Sequence, residues 1–274
     1  MKYSINGNEI IITETDIDLK KTFDCGQCFR FEERDGIFEG VAFGKLLRCR
    51  QVGKDSIALE CGEEDFLSLW SDFLDLEGDY GQAKEFLSFD KTMLDAMAAG
   101  SGIHIMHQDP WETLCSFIIS QNNNIPRIKK IISALCTFLG EEIGDGVYSF
   151  PTAEKILAAG EEGLAPIKSG FRAKYLLDAA KKVASGELVL EALKGLDRET
   201  ALKRLMDVKG VGPKVASCIA LFSLGYTDAF PVDVWVKRII AAYYGEGFDP
   251  AVFGKHAGLA QQYLFYYERE KSKA

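Results

Sequence analysis

The spacing of apolar and polar positions changes period about a quarter of the way along this chain. Up to about residue 60, short apolar runs alternate with turn residues: Ile10, Ile11 and Ile12; Ile37 to Phe43; Leu46, Leu47 and Cys49; Ile57, Ala58 and Leu59. Glycines 36, 40, 44 and 53 punctuate them. Runs of this length, rich in β-branched and aromatic residues and bounded by glycine, predict the strands of an antiparallel sheet. Near Glu63 the period lengthens, and Phe66, Leu69, Trp70, Phe73 and Leu74 fall at helical spacing.

From Asp109 onward the pattern is helical almost throughout. Asp109-Pro110 reads as an N-cap followed by proline at the first helical position, opening a helix over Trp111–Ser120 that the polar run Gln121-Asn122-Asn123-Asn124 ends. A second helix starts beyond Pro126, with Ile128, Ile131, Ile132 and Leu135 on its apolar side. Further helices are predicted after Pro151, over Lys174–Ala184, from Asp197 to about Val208, from Pro213 to Leu224, and near Asp233 and Phe253. The expected fold class is α+β: an N-terminal antiparallel β-sheet domain over residues 1–92, followed by a larger all-α body over residues 93–274.

Length and composition fit that picture without narrowing the function. With 274 residues, 47% apolar and 27% charged, the chain is an ordinary globular sequence. No run reaches the roughly 18 apolar residues of a membrane span, and Met1–Gly7 lacks the apolar stretch of a secretory signal. The expected setting is intracellular, cytoplasmic and nucleoid-associated in a prokaryote, with the chain acting as a monomer and no membrane partner. Seven scattered cysteines suit free thiols in a reducing compartment. Cys25 and Cys28 have the spacing of a redox or zinc pair, but no second pair accompanies them and no cysteine follows Cys218, so neither a zinc site nor an iron–sulfur cluster is expected.

Charge changes the picture more. A net of −9 taken alone argues against nucleic acid. Its distribution is uneven: residues 1–100 carry 11 basic and 21 acidic side chains, whereas residues 125–214 carry 15 basic and 12 acidic. The only net-basic region is the one that holds the most informative motif.

That motif is Val208-Lys209-Gly210-Val211-Gly212-Pro213-Lys214. One helix ends, a two-glycine hairpin turns, and a second helix begins at Pro213, all within about 198–224. Gly210 and Gly212 are expected to adopt backbone angles that side chains forbid, and to leave amide N–H groups open at a helix N-terminus, where phosphate is favoured. An ordinary αα-hairpin would need the glycines only to turn the corner. Lys214 tips the balance. In the first helical turn it faces the positive end of the macrodipole, a field that with burial favours the neutral amine, the form that attacks carbon and forms Schiff bases. Nineteen residues on, Pro231-Val232-Asp233 places Asp233 to cap the next helix, and equally to stabilise positive charge developing on a sugar ring.

With Gly210-Val211-Gly212-Pro213-Lys214-Val215-Ala216 and Pro231-Val232-Asp233-Val234 on the page, the chain resembles the helix-hairpin-helix DNA glycosylases. It is similar within them to the 8-oxoguanine DNA glycosylase/AP lyases, because Gly26-Gln27-Cys28-Phe29-Arg30, Ser120-Gln121-Asn122-Asn123-Asn124, Gly170-Phe171-Arg172-Ala173-Lys174-Tyr175 and the stretch from Ala257 to Phe265 agree as well. The resemblance implies a bifunctional enzyme that flips 8-oxoguanine out of duplex DNA and excises it, with Lys214 as nucleophile and Asp233 as the essential carboxylate. It maps the Gly26 carbonyl onto the acceptor for the lesion's N7–H, Cys218 and Phe265 onto the faces that sandwich the base, and Gln261 onto its pairing edge. It maps Asn122 onto the residue that fills the void, Arg127 and Arg172 onto the orphaned cytosine, and Phe171, usually tyrosine, onto the wedge. Trp235 stands where relatives carry a phosphate-contacting histidine. No cofactor is implied beyond a monovalent cation at the hairpin.

Three rivals remain at this point. A relative acting on another damaged base would usually carry a C-terminal iron–sulfur cluster or lack the lysine. A non-enzymatic DNA-binding module would hold lesion-containing duplex without cutting it. A thiol-redox protein built on Cys25 and Cys28 would need no DNA.

Overall fold

The computed structural model describes residues 1–144 and 146–272, so the last two residues of the expected helical body lie outside it. Six antiparallel strands form one sheet: β1 (Lys2–Asn6), β2 (Glu9–Thr13), β3 (Phe31–Arg34), β4 (Ile37–Ala42), β5 (Lys45–Gly53) and β6 (Ser56–Glu60), in the order β1-β2-β6-β5-β4-β3. The predicted apolar runs are its interior. Ile10 and Ile12 on β2 face Leu59 and Ile57 on β6, and all four are essentially inaccessible to water. The edge strands β1 and β3 escaped the sequence reading for a physical reason: β1 is exposed along its whole length and β3 buries only Phe31. An edge strand with one wet face and one free ladder edge needs no hydrophobic alternation.

The remaining chain is largely helical. Pro110–Ser120 runs through its centre with Leu114, Cys115, Ile118 and Ile119 wholly buried, and Phe117 stacks on Phe222 of Pro213–Ser223, ring centroids 5.6 Å apart. Predicted helix starts match their caps. Asp109, Asn124, Thr152 and Asp197 each accept a hydrogen bond from the backbone N–H three residues on, the geometry that satisfies an otherwise orphaned donor. The helix after Asn124 begins at Ile125, one residue before Pro126.

The two hydrophobic cores part between Leu76 and Tyr80, upstream of the boundary at 92 expected from the sequence. Helices Tyr80–Leu87 and Lys91–Ala99 pack into the helical core, where the Tyr263 ring comes so close to Gly100 that a methyl group there would lie 2.7 Å from it. The cores meet along residues 25–29. Cys25 and Phe29 turn into the helical core and Cys28 into the sheet core. Gln27, wholly buried between them, donates to the carbonyls of Thr22 and His104 and accepts from Met106 N–H.

A buried ion pair spans the same seam: Arg30, just before β3, lies 3.3 Å from Glu112 on the central helix and also donates to the Tyr148 carbonyl. Burial pushes the Glu112 carboxyl up to about 7 despite the pull of Arg30. An acid that ionises less readily folded than unfolded keeps its proton in the native state after the unfolded chain has lost it. Its contribution to stability is therefore complete below the unfolded value of 4.5 and fades as pH rises to about 7. Thermal melts from pH 4.5 to 8 should show the wild type losing stability relative to Glu112→Gln between pH 5 and 7, and a constant difference above that. Parallel curves would exclude Glu112 as the titrating group.

Candidate active site

The helix-hairpin-helix is built as expected from Arg198–Met206, the turn, and Pro213–Ser223. The turn is anchored by Val211 N–H on the Val208 carbonyl at 3.0 Å and by Lys209 N–H on the Asp178 carboxylate at 2.8 Å. The two glycines have different reasons to be there. Gly210 has φ +80°, the left-handed region, and a methyl group on it would meet Tyr175 Cδ2 at 2.2 Å. Gly212 does not fit the expectation of a forbidden backbone angle, since its φ of −96° and ψ of −179° are ordinary extended backbone. It caps Pro213–Ser223 with no side-chain hydrogen bond, and nothing lies within 4 Å of where a side chain would start. What its missing side chain provides is open access to an uncapped helix terminus.

Lys214 sits half-buried in the first turn of that helix, its Nζ 5.3 Å from the centroid of the Phe117 ring. One turn on, burial pushes the Cys218 thiol up; the nearby Lys214 opposes the rise and the Asp233 carboxylate adds to it, so Lys214 and Asp233 both lie in the neighbourhood of Cys218. Asp233 holds its place as the N-cap of Val234–Ile239, its Oδ1 accepting from Val236 N–H at 2.8 Å. The residue proposed from the sequence as the carboxylate is thus a helix cap in the structure.

Residues distant in sequence come together at the C-terminal helix. Gly26, at φ +80°, is so close to the C-terminal helix Ala257–Lys271 that a methyl group on it would lie 3.5 Å from Phe265 Cε1 and 4.0 Å from Ile125 Cδ1. Arg269 fixes that helix against the same loop, donating to the carbonyl and carboxylate of Asp24. Gln261 is buried in this helix, its Oε1 accepting from Gln262 Nε2 at 2.8 Å.

The expected DNA contacts lie on another rim. Asn122 is exposed in the left-handed region at φ +48°, and Arg127 is exposed two residues into the next helix. Phe171 is 51% exposed, with its ring edge-on to Tyr175, centroids 5.7 Å apart, and the Arg172 guanidinium 4.5 Å above it. Arg172 departs from the expectation of a residue presented to an orphaned base. It is 5% exposed and donates to the carbonyls of Gln121, Asn122 and Ser169. Burial and the neighbouring Arg127 cation lower its proton affinity. In this structure it braces the Asn122 loop. Trp235 is half-buried, with the Arg238 guanidinium 5.3 Å from its ring.

A model of the 8-oxoguanine DNA glycosylase N-terminal domain matches residues 9–114, and one of the HhH-GPD superfamily base excision DNA repair proteins matches residues 115–251. The N-glycosylase/DNA lyase OGG1 of Arabidopsis thaliana is 31% identical over 305 residues, covering 96% of this chain and 80% of that protein. The chain belongs to the 8-oxoguanine DNA glycosylase family. Solved structures agree with that. MBOgg1 in complex with a low affinity DNA ligand superposes with a TM-score of 0.93 at 44% identity, covering 99% of this chain and 100% of that one. The Clostridium acetobutylicum 8-oxoguanine glycosylase/lyase, bound to double-stranded DNA with cytosine opposite 8-oxoG, does so at 0.92 and 39% identity, covering 99% of both chains.

In this glycosylase the Cys25/Cys28 pair is not a reactive site. The two thiols are buried in different cores, and burial pushes them up to about 12 and about 11, so neither is a thiolate near neutral pH. Among the described residues no group of three or more His, Cys, Asp and Glu side chains is arranged to hold a metal ion, and no helix is long and apolar enough to cross a membrane. The residues that sequence reading gave no role are Tyr175, Asp178, Phe117 and Arg269. Tyr175 was inside a quoted motif, but its contact with Gly210 lies 35 positions away and leaves no local signal.

Proposed function

We propose that this chain excises 8-oxoguanine paired with cytosine from duplex DNA and then nicks the strand, with Lys214 as nucleophile and Asp233 as the charge-stabilising carboxylate. The observation that supports the reading is Lys214 in the first turn of the helix that opens at the uncapped hairpin terminus, with Asp233 held in place as the N-cap of the following helix. The uncapped N–H groups suit a DNA phosphate, with Trp235 and Arg238 alongside.

The damaged nucleotide would leave the stack, at a cost of a few kcal/mol, and enter the slot between Cys218 and Phe265. There the Gly26 carbonyl accepts the N7–H that guanine lacks, and Gln261 reads the pairing edge. A donor or acceptor left unpaired costs about 1–3 kcal/mol, so guanine is rejected by one missing hydrogen. Asp233 steadies the positive charge growing on the sugar as the glycosidic bond opens. The Lys214 amine bonds to C1′, and the bonding pair leaves with the base, which takes up the proton the amine sheds. The nitrogen lone pair then opens the C1′–O4′ bond, O4′ taking a proton from solvent. The iminium so formed loses a C2′ proton, the 3′ phosphate departs, and the strand is nicked. No step needs an electron acceptor. A monovalent cation at the hairpin would be held by backbone carbonyls, the oxygen ligands a hard cation prefers; the reaction does not pass through it.

On the far strand Asn122 fills the vacated space and Phe171 wedges beside it. Arg127 donates to the orphaned cytosine, and Arg172 joins once its bonds to Gln121 and Asn122 are exchanged. Single-turnover cleavage of duplexes with 8-oxoguanine opposite each of the four bases tests the assignment. Cytosine should be favoured by about tenfold or more, the worth of one good base contact, and unmodified duplex should stay intact. Equal rates opposite all four bases would remove the cytosine part; no cleavage of any of them would remove the substrate.

A further inference from the structure

One helix touches every moving part of this scheme. Arg172–Ala184 carries Phe171 at its N-cap and Arg172 on the carbonyls of the Asn122 loop. One turn on, Tyr175 meets the Phe171 ring edge-on at 5.7 Å and lies directly against the backbone of Gly210. Nearly one further turn on, Asp178 accepts Lys209 N–H at 2.8 Å. The same hairpin leads straight into the helix that carries Lys214.

We propose that Tyr175 is a positioning residue for excision, with Asp178 beside it: together they make the Arg172–Ala184 helix a rigid strut that sets the hairpin, and so Lys214, in register with the wedge in the opposite strand. Gly210 has no side chain because the ring occupies its place. Close packing transmits displacement instead of absorbing it, so a wedge driven against DNA pushes on the Tyr175 ring, and through it on the turn. A nucleophile displaced by about 1 Å forfeits about 10²-fold in rate, which gives the register its value. The inference rests on the reading of Phe171 as the wedge.

A double-mutant cycle measures the link, read as single-turnover excision at saturating enzyme. Phe171→Ala and Tyr175→Leu should each slow excision by about tenfold, and the double variant by about tenfold as well, because either change alone already disconnects wedge from hairpin. Tyr175→Phe, which keeps the ring, should restore the rate to within about twofold. Gly210→Ala, which pushes the turn off an intact ring, should reproduce the Tyr175→Leu defect. Melting temperatures and affinity for undamaged duplex are followed in parallel; a residue that only supports the fold moves these with the rate, and a positioning residue moves the rate first. Effects that multiply to about a hundredfold in the double variant would overturn the strut while leaving the wedge in place, as would a wild-type rate in Tyr175→Leu. A wild-type rate in Phe171→Ala would overturn both.

Discussion

Replacing Lys214 with glutamine should abolish the borohydride-trapped complex between the protein and 8-oxoguanine duplex, and slow excision by at least about 10⁴-fold. That factor is about 5.5 kcal/mol of transition-state stabilisation. The side chain belongs to the first turn of Pro213–Ser223, half-buried beside the Phe117 ring, so a glutamine of similar length fits without opening a cavity. Duplex binding should change little if, as proposed, the uncapped backbone N–H groups of the hairpin hold the phosphate. The comparison is a denaturing gel of trapped complexes beside an equilibrium binding curve for the same duplex. A trapped band that survives in Lys214→Gln would mean that another amine forms the bond, and would return Lys214 to a structural role.

How far the sequence leads depends on the range over which each feature is determined. The places of Lys214 and Asp233 were legible because they are set locally, by a helix start, a proline and a cap. The caps at Asp109 and Asp197 were legible for the same reason. Gly210 was read correctly as a residue in left-handed backbone, yet half of its reason is the Tyr175 ring, which only the fold supplies. Gly212 was misread because the pattern Gly-x-Gly does not say which glycine needs its freedom; the second is extended, and what it provides is space. The approach of Gly26 to Phe265 lies beyond any periodicity argument, since it joins the loop before β3 to the C-terminal helix, and only the resemblance pointed there. Helix Tyr80–Leu87 and the first two residues of Lys91–Ala99 lie on the sheet side of the boundary expected at 92, yet both helices pack into the helical core. Each is one to three turns long, and what draws it into the helical core is a partner more than 150 residues downstream.

Asp233→Asn should lower excision by about 10²–10³-fold, the usual loss when a preorganised charge-stabilising group is removed, while leaving the melting temperature unchanged. Asparagine caps a helix about as well as aspartate, so the bond from Val236 N–H to the side-chain oxygen survives and only the negative charge is lost. Alanine at the same position removes cap and charge together, and should cost a further ~1 kcal/mol of stability on top of the same kinetic defect. The pair of variants separates the two jobs that one carboxylate does. Oδ1 is committed to the helix, which fixes the side chain in space. A carboxylate already held by a cap needs no reorganisation when charge develops on the sugar, which is why a cap is a good place to keep it. The measurements are single-turnover excision and thermal unfolding of both variants beside the wild type. Full activity in Asp233→Asn, with loss only in the alanine variant, would mean that position 233 serves the helix alone and that the charge on the sugar is stabilised from elsewhere.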